Sequence, residues 1–272
     1  MLKTRVITAL VLLAIFLPVT LFAPIGAFGA LIGVVVVFAA WEWARLLKLG
    51  GAGAIVYAAI AGAILVATAR LGGVVKPLFE AAAIFWICAG PFVLLRRPTL
   101  AAGPWRPFLL AAGIVLMLAS WHALVAARAV GVPFVLSLLL VVWLADIGAY
   151  FAGKAFGRHK LAPAISPGKT WEGALGGWIA VLVVSTVAVL AHAFEPTLYS
   201  ALFGRGAAAA LGALTVLVAF SIVGDLFEST MKRQAGVKDS SGLLPGHGGV
   251  LDRIDALLPV LPLAMLALSL FG

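Results

Sequence analysis

The chain has 272 residues, of which 64% are hydrophobic and 11% are charged, and its mean hydropathy is +1.19. This composition argues against a water-soluble domain and predicts an all-α polytopic membrane protein, because the long apolar runs lack the two-residue alternation of a membrane β-barrel. The net charge of +9 is best explained by attraction of the basic residues to anionic lipid headgroups, since there is no soluble domain with a basic patch. We therefore expect no nucleic-acid partner. The single cysteine, Cys88, excludes a disulfide framework or a cysteine metal site.

Nine apolar segments are long enough to be considered as membrane spans. A crossing needs roughly 20 apolar residues, because the hydrocarbon core is about 30 Å thick and a helix rises about 1.5 Å per residue. The predicted spans are Val6–Phe22, Gly26–Ala40, Ala54–Ala69, Leu78–Leu95, Leu109–Ala127, Pro133–Phe151, Gly173–Ala193, Ala207–Gly224 and Val250–Leu270. We treat residues 1–272 as one membrane-embedded domain.

The basic residues predict the orientation of these spans, because Lys and Arg collect in cytoplasmic loops. With the N-terminus inside, 15 of the 19 basic residues lie on the cytoplasmic side, and the outer side keeps Arg70, Lys76, Arg128 and Arg205. This division predicts nine spans, a cytoplasmic N-terminus and, for a bacterial-type chain, the inner (plasma) membrane. An uncleaved first span fits better than a signal peptide, since a second apolar segment follows almost at once.

Polar side chains are unevenly distributed along the chain. Residues 1–140 are mainly hydrophobic scaffold, with Trp41, Trp43, Trp105 and Trp121 expected as interfacial anchors. Residues 141–258 contain two polar blocks, 146–172 and 225–255, and the predicted topology puts both on the cytoplasmic side. We therefore expect 141–258 to supply the catalytic helices and loops.

The decapeptide GDLFESTMKR, residues 224–233, ends the eighth predicted span. If the helix continues there, Asp225, Glu228, Ser229 and Lys232 share one face, because they are spaced at i, i+3, i+4 and i+7. This stripe is either part of a site or a solvated helix end with an internal ion pair.

The segment PGHGG, residues 245–249, is followed by Asp252 and Asp255 in a first helical turn. Glycines allow the backbone to approach a ligand closely. Acidic residues in a first turn also interact favourably with the helix dipole, but three aspartates near hydrocarbon, including Asp225, are costly unless paired or metal-bound. A hard divalent cation, Mg²⁺, would satisfy them and would bring phosphates with it. His247 either donates to a phosphate or a leaving group, or caps a turn.

The other polar block begins with Asp146, an intramembrane carboxylate and hence a functional candidate. It continues to SPGKT, Ser166 to Thr170, which is not a P-loop because Pro163 stands where that motif needs glycine. Lys169 and Thr170 either meet a phosphate at the start of the next helix or form an ordinary N-cap and a positive loop.

Taken together, these residues resemble the C-terminal signature of the phosphatidate cytidylyltransferases, also called CDP-diacylglycerol synthases. The matching positions are Ser229, Lys232, Arg233, Lys238, Asp239, Pro245, His247, Gly248, Gly249, Asp252, Arg253 and Asp255. The upstream positions that look like the family's second segment are Asp146, Tyr150, Gly153, Ser166, Pro167, Lys169, Thr170, Glu172 and Gly173. Gly168 departs from the pattern, since many members have a second lysine there.

The resemblance implies transfer of a cytidylyl group from CTP to phosphatidic acid, with CDP-diacylglycerol and pyrophosphate as products. It also implies a homodimer, a requirement for Mg²⁺ and a second, monovalent cation such as K⁺. The candidate metal ligands are Asp225, Asp252 and Asp255. The candidate catalytic residues are Asp225, Asp252, Lys232, Arg233, His247 and Asp146. The candidate substrate-binding residues are Ser166, Lys169, Thr170, Ser229, Lys238, Asp239, Gly248, Gly249 and Arg253.

Two other functions compete with this interpretation. A CTP-dependent lipid kinase would transfer the γ-phosphate to an alcohol, and its products, a phospholipid and CDP, would differ. A transporter would use Asp146, Asp225 and Asp252 to line a pathway. That reading predicts polar residues on both sides of the membrane, whereas here they crowd one face.

Overall fold

The computed structural model describes residues 2–71 and 75–270, so Met1, residues 72–74 and residues 271–272 of the predicted domain lie outside it. The described part of the chain is mainly helical, which confirms the all-α prediction. The helices are α1 Leu2–Phe22, α2 Ile25–Leu46, α3 Gly51–Leu71, α4 Val75–Ile84, α5 Gly90–Arg96, α6 Trp105–Val130, α7 Val132–Phe156, α8 Trp171–Leu190, α9 Leu198–Phe203, α10 Ala207–Ala235, α11 Leu251–Ile254 and α12 Leu257–Leu270. A π-helical turn, Phe85–Ala89, joins α4 to α5.

Within the described ranges, eight helical stretches are long and apolar enough to cross a membrane. They overlap the first eight predicted spans, with α4, the π-helical turn and α5 together forming the fourth. The largest difference in length is at α10, which continues past the predicted end at Gly224 to Ala235. The polar decapeptide, residues 224–233, is therefore helical, which is the condition for its polar side chains to share one face.

The predicted ninth span, Val250–Leu270, is not one continuous helix. It consists of the four-residue α11 and the 14-residue α12, separated by a turn at Asp255 and Ala256. Pro259 explains the break, because a proline ring has no N–H and would clash in a helix with the carbonyl four residues earlier, which is that of Asp255. The count of nine spans therefore stays a prediction.

Contacts between helix ends and loops distinguish the two ends of the helix bundle. At one end, the side-chain amide of Gln234 donates to the carbonyl oxygen of Pro98 over 2.8 Å. At the other end, Arg128 donates to the carbonyl oxygen of Ala23 over 3.1 Å. These contacts agree with helices that alternate in direction. Which end faces the cytoplasm stays a prediction from the basic residues.

Aromatic side chains fill the centre of the bundle. The buried rings of Trp43 and Trp86 lie 5.9 Å and 5.5 Å from Phe227 of α10, measured between centroids. The indole N–H of Trp121 donates to the carbonyl oxygen of Gly29 over 2.8 Å. The expectation that Trp43 and Trp121 anchor the interface is therefore wrong, because both indoles are buried. The Trp43–Phe227 contact fixes α2 against α10.

Helices α7 and α8 pack closely along a strip of glycines. A Cβ atom on Gly148 would lie 2.8 Å from the carbonyl oxygen of Gly176, and one on Gly173 would lie 2.9 Å from that of Ala149. Backbone atoms cannot move aside easily, so this approach requires residues without side chains. The packing places Asp146 of α7 beside the beginning of α8.

A short antiparallel hairpin precedes α8 and was not predicted. Its strands are β1, Lys160–Ala162, and β2, Ser166–Thr170, with Lys160 opposite Thr170. Glu172 holds the base of the hairpin, because its carboxylate accepts from the amide of His159 over 3.2 Å and lies 2.6 Å from the His159 ring nitrogen. The hairpin therefore presents β2 to the end of the bundle where the polar blocks meet.

Candidate active site

The polar stripe on α10 forms as its spacing predicts. Ser229 donates to a carboxylate oxygen of Asp225 over 3.2 Å, and Lys232 forms an ion pair with Glu228. The side chain of Glu228 is 2% exposed and that of Lys232 is 12% exposed. Burial to this degree does not fit a solvated helix end. The stripe instead points into the bundle.

Lys232 also joins α10 to α11. Its ammonium nitrogen lies 2.5 Å from Oδ1 of Asp252, while the amides of Ser240 and Gly249 donate to Oδ2 over 2.9 Å and 2.7 Å. Burial opposes the charge of Asp252, but these hydrogen bonds outweigh it and lower the pKa of the carboxyl to about 2. Asp252 is therefore held as a carboxylate.

The glycines of residues 245–249 let the loop fold back on Asp252. Gly246 and Gly248 have φ angles of +77° and +84°, which favour glycine. The amide of Leu244 donates to the carbonyl oxygen of Gly248 over 2.8 Å and closes the turn. A Cβ atom on Gly248 would lie 2.7 Å from Oδ2 of Asp252. The glycines were predicted to let the backbone approach a ligand closely. In the structure the backbone at Gly248 instead approaches the carboxylate of Asp252.

His247 lies at the tip of this turn, and its ring does not hold the turn together. Its backbone amide donates to Leu244 over 2.8 Å. Its ring Nδ1 is buried and has no hydrogen-bond partner within the part of the chain that the structure describes. The turn-capping role considered from the sequence therefore belongs to the backbone of His247.

Asp255 lies in the turn between α11 and α12, outside the eight long helices. Its Oδ1 accepts from the amide of Ala256 over 2.8 Å. Burial raises the pKa of Asp255, and the negative charge of Asp225 raises it further. A cation bound between these two carboxylates would relieve their repulsion.

The strand β2 contributes a basic residue to the same cluster. The ammonium nitrogen of Lys169 lies 2.5 Å from Oδ2 of Asp225. The hydroxyl of Thr170 accepts from the amide of Gly173 over 3.1 Å, so Thr170 is the N-cap of α8. Ser166 is at the other end of the strand, beside Ile165. Lys169 therefore pairs with Asp225, whereas the hydroxyl of Thr170 is used to cap α8.

The remaining predicted residues lie at the rim. Arg233 is exposed, and its Nε donates to the carbonyl oxygen of Ile165 over 3.4 Å. Lys238 and Asp239 are exposed in the loop after α10, and Arg253 is exposed on α11. These side chains surround the buried cluster and are open to a ligand.

Asp146 lines two cavities. One, here called the polar cleft, has a volume of about 210 Å³ and is lined in part by Tyr150, Lys169 and Ser221. The other, here called the apolar groove, has a volume of about 530 Å³ and lies between α1, α2, α6, α7, α11 and α12. Its walls are mostly aliphatic and aromatic, and its polar end is formed by Asp146, Asp252, Arg253 and Asp255. Asp146 lines both cavities.

Glu42 and Ser240 also belong to the cluster, although neither was predicted from the sequence. Glu42 of α2 is 0% exposed and Ser240 is 4% exposed. The hydroxyl of Ser240 lies 2.8 Å from Oδ2 of Asp252 and 3.0 Å from Oε2 of Glu42. A lone acidic residue inside an apolar run was the signal for Glu42. Ser240 carried no comparable signal.

The oxygen donors of this cluster suit Mg²⁺. Among the described residues no three His, Cys, Asp or Glu side chains form a ready-made metal cage. Mg²⁺ does not require one, because it commonly binds one or two carboxylates and completes its shell with waters and phosphates. Asp225 with Asp255, or Asp252, would provide such ligands. Lys169 and Lys232 now neutralise Asp225 and Asp252.

Comparison with known proteins identifies the family of the chain. Residues 3–271 match the Cytidylyltransferase family. The chain is 44% identical over 269 residues to phosphatidate cytidylyltransferase of Pseudomonas aeruginosa, covering 96% of this chain and 95% of that protein. It is 48% identical over 132 residues to the protein of the same name from Haemophilus influenzae, covering 48% of this chain and 44% of that one. A match over nearly its whole length, including the polar cluster, shows that the chain belongs to the cytidylyltransferase family.

Proposed function

We propose that the chain transfers a cytidylyl group from CTP to phosphatidic acid and forms CDP-diacylglycerol and pyrophosphate. The observation that carries the proposal is the junction at Asp146, which lines both the polar cleft and the apolar groove, beside a cluster of carboxylates and basic side chains. A reaction between a water-soluble nucleotide and a membrane lipid needs such a junction. Relatives from several bacteria named phosphatidate cytidylyltransferase support the same activity.

The apolar groove suits the acyl chains of phosphatidic acid. Leu13 and Phe16 of α1, Val35 of α2 and Trp143 of α7 are among its lining residues. Apolar walls favour hydrocarbon, whereas a lipid phosphate needs positive charge and hydrogen-bond donors. Arg253 at the polar end of the groove would supply both. The lipid would bind from the side, with its headgroup next to Asp252.

The polar cleft and its rim suit the triphosphate of CTP. Lys169 lines the cleft, and Lys232 and Arg233 follow on α10. These cations would bind phosphate oxygens. The ring nitrogen Nδ1 of His247, which has no hydrogen-bond partner among the described residues, would donate a hydrogen bond to the leaving pyrophosphate. Entry of CTP from the cytoplasm agrees with the orientation predicted from the basic residues.

The reaction needs placement and charge neutralisation more than covalent chemistry. A phosphate oxygen of phosphatidic acid attacks the α-phosphorus of CTP, and the bond from that phosphorus to the α,β-bridging oxygen breaks as pyrophosphate leaves. The attacking phosphate is already a nucleophile, so no serine, cysteine or histidine intermediate is required. The chain's task is to hold both phosphates in line.

Asp225, Asp252 and Asp255 are the proposed ligands of Mg²⁺, and the proposal includes a second, monovalent cation such as K⁺. When bound, Mg²⁺ would neutralise charge on the phosphates of CTP. Phosphates entering the site would also draw Lys169 and Lys232 from their present carboxylate partners. Replacing K⁺ by a bulky organic cation in the assay tests the monovalent site.

The test is formation of CDP-lipid from radiolabelled CTP and phosphatidic acid in detergent micelles with Mg²⁺. Wild type should make CDP-diacylglycerol, and folded Asp225→Asn and Asp252→Asn variants should lose it. The exposed Glu80→Gln substitution on α4 is the matched control. Labelled phospholipid with CDP would instead indicate a lipid kinase. Uptake of an ion or metabolite into proteoliposomes without CTP, together with no CDP-lipid in the assay, would indicate a transporter.

Two further parts of the proposal concern the assembly and the side of the membrane. We infer a homodimer in the bacterial inner membrane, with the active site facing the cytoplasm. The resemblance supports the dimer, which light scattering of the purified protein tests. In a Cys88→Ser background, an impermeant maleimide should label Glu195→Cys in intact cells, and Gly242→Cys only after lysis.

A further inference from the structure

Glu42 is the buried acidic residue of α2, and it bonds to a distant part of the chain. Its two carboxylate oxygens accept from the backbone amides of Val250 and Leu251 over 3.0 Å and 2.6 Å. They also accept from the hydroxyls of Ser240 and Ser241 over 3.0 Å and 2.5 Å. Four donors from residues 240–251 therefore converge on one side chain of α2.

These contacts hold the beginning of α11. The first amides of a helix have no partner within the helix and need an acceptor from elsewhere. Here the amide of Gly249 donates to Asp252 over 2.7 Å, and the next two amides donate to Glu42. Three successive amides thus point at carboxylates. Glu42 fixes the backbone on which Asp252 is carried.

Ser240 links Glu42 to Asp252 directly. Its hydroxyl oxygen lies 3.0 Å from Oε2 of Glu42 and 2.8 Å from Oδ2 of Asp252. A hydroxyl has one proton to donate, so the two carboxylates share this donor. A change in the charge or position of Glu42 therefore alters what Ser240 gives to Asp252.

The fit around Glu42 is tight. A Cβ atom on Gly249 would lie 2.7 Å from the carboxyl carbon of Glu42. The neighbouring Trp43 is 1% exposed and packs on Phe227 of α10, so α2 is fixed just beside the carboxylate. The position of residues 240–251 is therefore set by contacts with a rigid helix, α2.

We propose that Glu42 is a positioning residue that sets the location and orientation of Asp252 through Ser240 and the amides of Val250 and Leu251. The inference rests on the proposed function, in which Asp252 binds the metal. Glu42 acts through its neighbours and touches neither substrate. Groups that orient a metal ligand in this way typically change metal affinity or activity by about 10- to 100-fold when they are replaced.

The test compares Glu42→Gln with Glu80→Gln, the same change on an exposed face of α4. Glutamine keeps the size of Glu42 but turns one acceptor into a donor, which then opposes an amide or a hydroxyl. Ser240→Ala removes the link and leaves α2 unchanged. The readouts are kcat, the Mg²⁺ concentration for half-maximal rate, Tm, and amide hydrogen exchange of residues 240–251 without Mg²⁺.

We expect Glu42→Gln and Ser240→Ala each to raise the half-maximal Mg²⁺ concentration about tenfold or more, and Glu42→Gln to speed exchange in residues 240–251. The double variant should be little worse than Glu42→Gln alone, because both changes interrupt one chain of bonds. Glu80→Gln should behave as wild type.

An unchanged Mg²⁺ dependence with unchanged exchange in Glu42→Gln would overturn the inference. A lowered Tm with an unchanged Mg²⁺ dependence would also overturn it, since a merely structural role predicts that result. Exchange is measured without substrate. An inactive wild type would therefore refute the proposed function, while the exchange data would still decide whether Glu42 holds the loop.

Discussion

Replacing Lys232 by methionine should destabilise the protein through Glu228. Lys232 is the one cation paired with Glu228 among the residues that the structure describes, and Glu228 is 2% exposed. Removing one partner of a buried ion pair costs up to about 3–5 kcal/mol, because Glu228 must then stay buried as an unpaired charge or take up a proton. The loss of Lys232 destabilises the charge of Asp252 less, because Ser240 and Gly249 still donate hydrogen bonds to its carboxylate.

The expected shift can be measured as a loss of thermal stability in detergent. A cost of about 3 kcal/mol lowers the Tm of a chain of 150–250 residues by roughly 6–12 °C, so for these 272 residues we expect a fall at the lower end of that range. The double variant Lys232→Met with Glu228→Gln removes the buried charge, so it should recover most of that loss. Both variants should stay inactive, because neither has the ammonium next to Asp252.

The control is Lys76→Met, which removes an exposed lysine on α4. It should leave both Tm and activity at the wild-type level. A Lys232→Met protein as stable as wild type would refute the reasoning, because it would mean that the ion pair with Glu228 contributes nothing. A double variant no more stable than Lys232→Met would refute it equally.

Three further substitutions test the local geometry. Gly249→Ala should abolish activity and lower Tm, because the added methyl group would collide with side chains on both sides, whereas Gly242→Ala in the same loop meets open space and should be tolerated. Gly148→Ala should lower Tm by separating α7 from α8, while Gly212→Ala in α10, with nothing within 4 Å of its Cβ position, should not. Thr170→Val should cost about 1 kcal/mol of stability by removing the N-cap of α8, and Thr170→Ser should retain it. Thermal unfolding and the CDP-lipid assay measure each result.

Features that depend on local sequence were predictable. The spacing of Asp225, Ser229 and Lys232 gives one helix face whatever the tertiary structure, and the apolar runs give the spanning helices because the bilayer sets their length. The break at Asp255 was also readable, since Pro259 cannot continue the helix there. The ninth span was nevertheless predicted as continuous, because its composition alone was considered.

Features that depend on contacts between distant residues were not predictable from one sequence. The hairpin of β1 and β2 has strands of three and five residues, too short to show a period. Trp43 was assigned to the interface because tryptophan is common there, yet its partner Phe227 is on another helix. Glu42 was not predicted as a site residue, because its four donors lie in a segment far along the chain.

The contacts of Glu42 also bear on the order in which the protein is made. Its partners lie 198 to 209 residues further along the chain, so α2 leaves the ribosome long before residues 240–251. Until they arrive, α2 holds a carboxylate at the membrane without these partners, which is unfavourable. The first half of the bundle is therefore completed by the last loop to be synthesised. A chain that stops before residue 240 should lack a stable α2 and should be removed by cellular proteases.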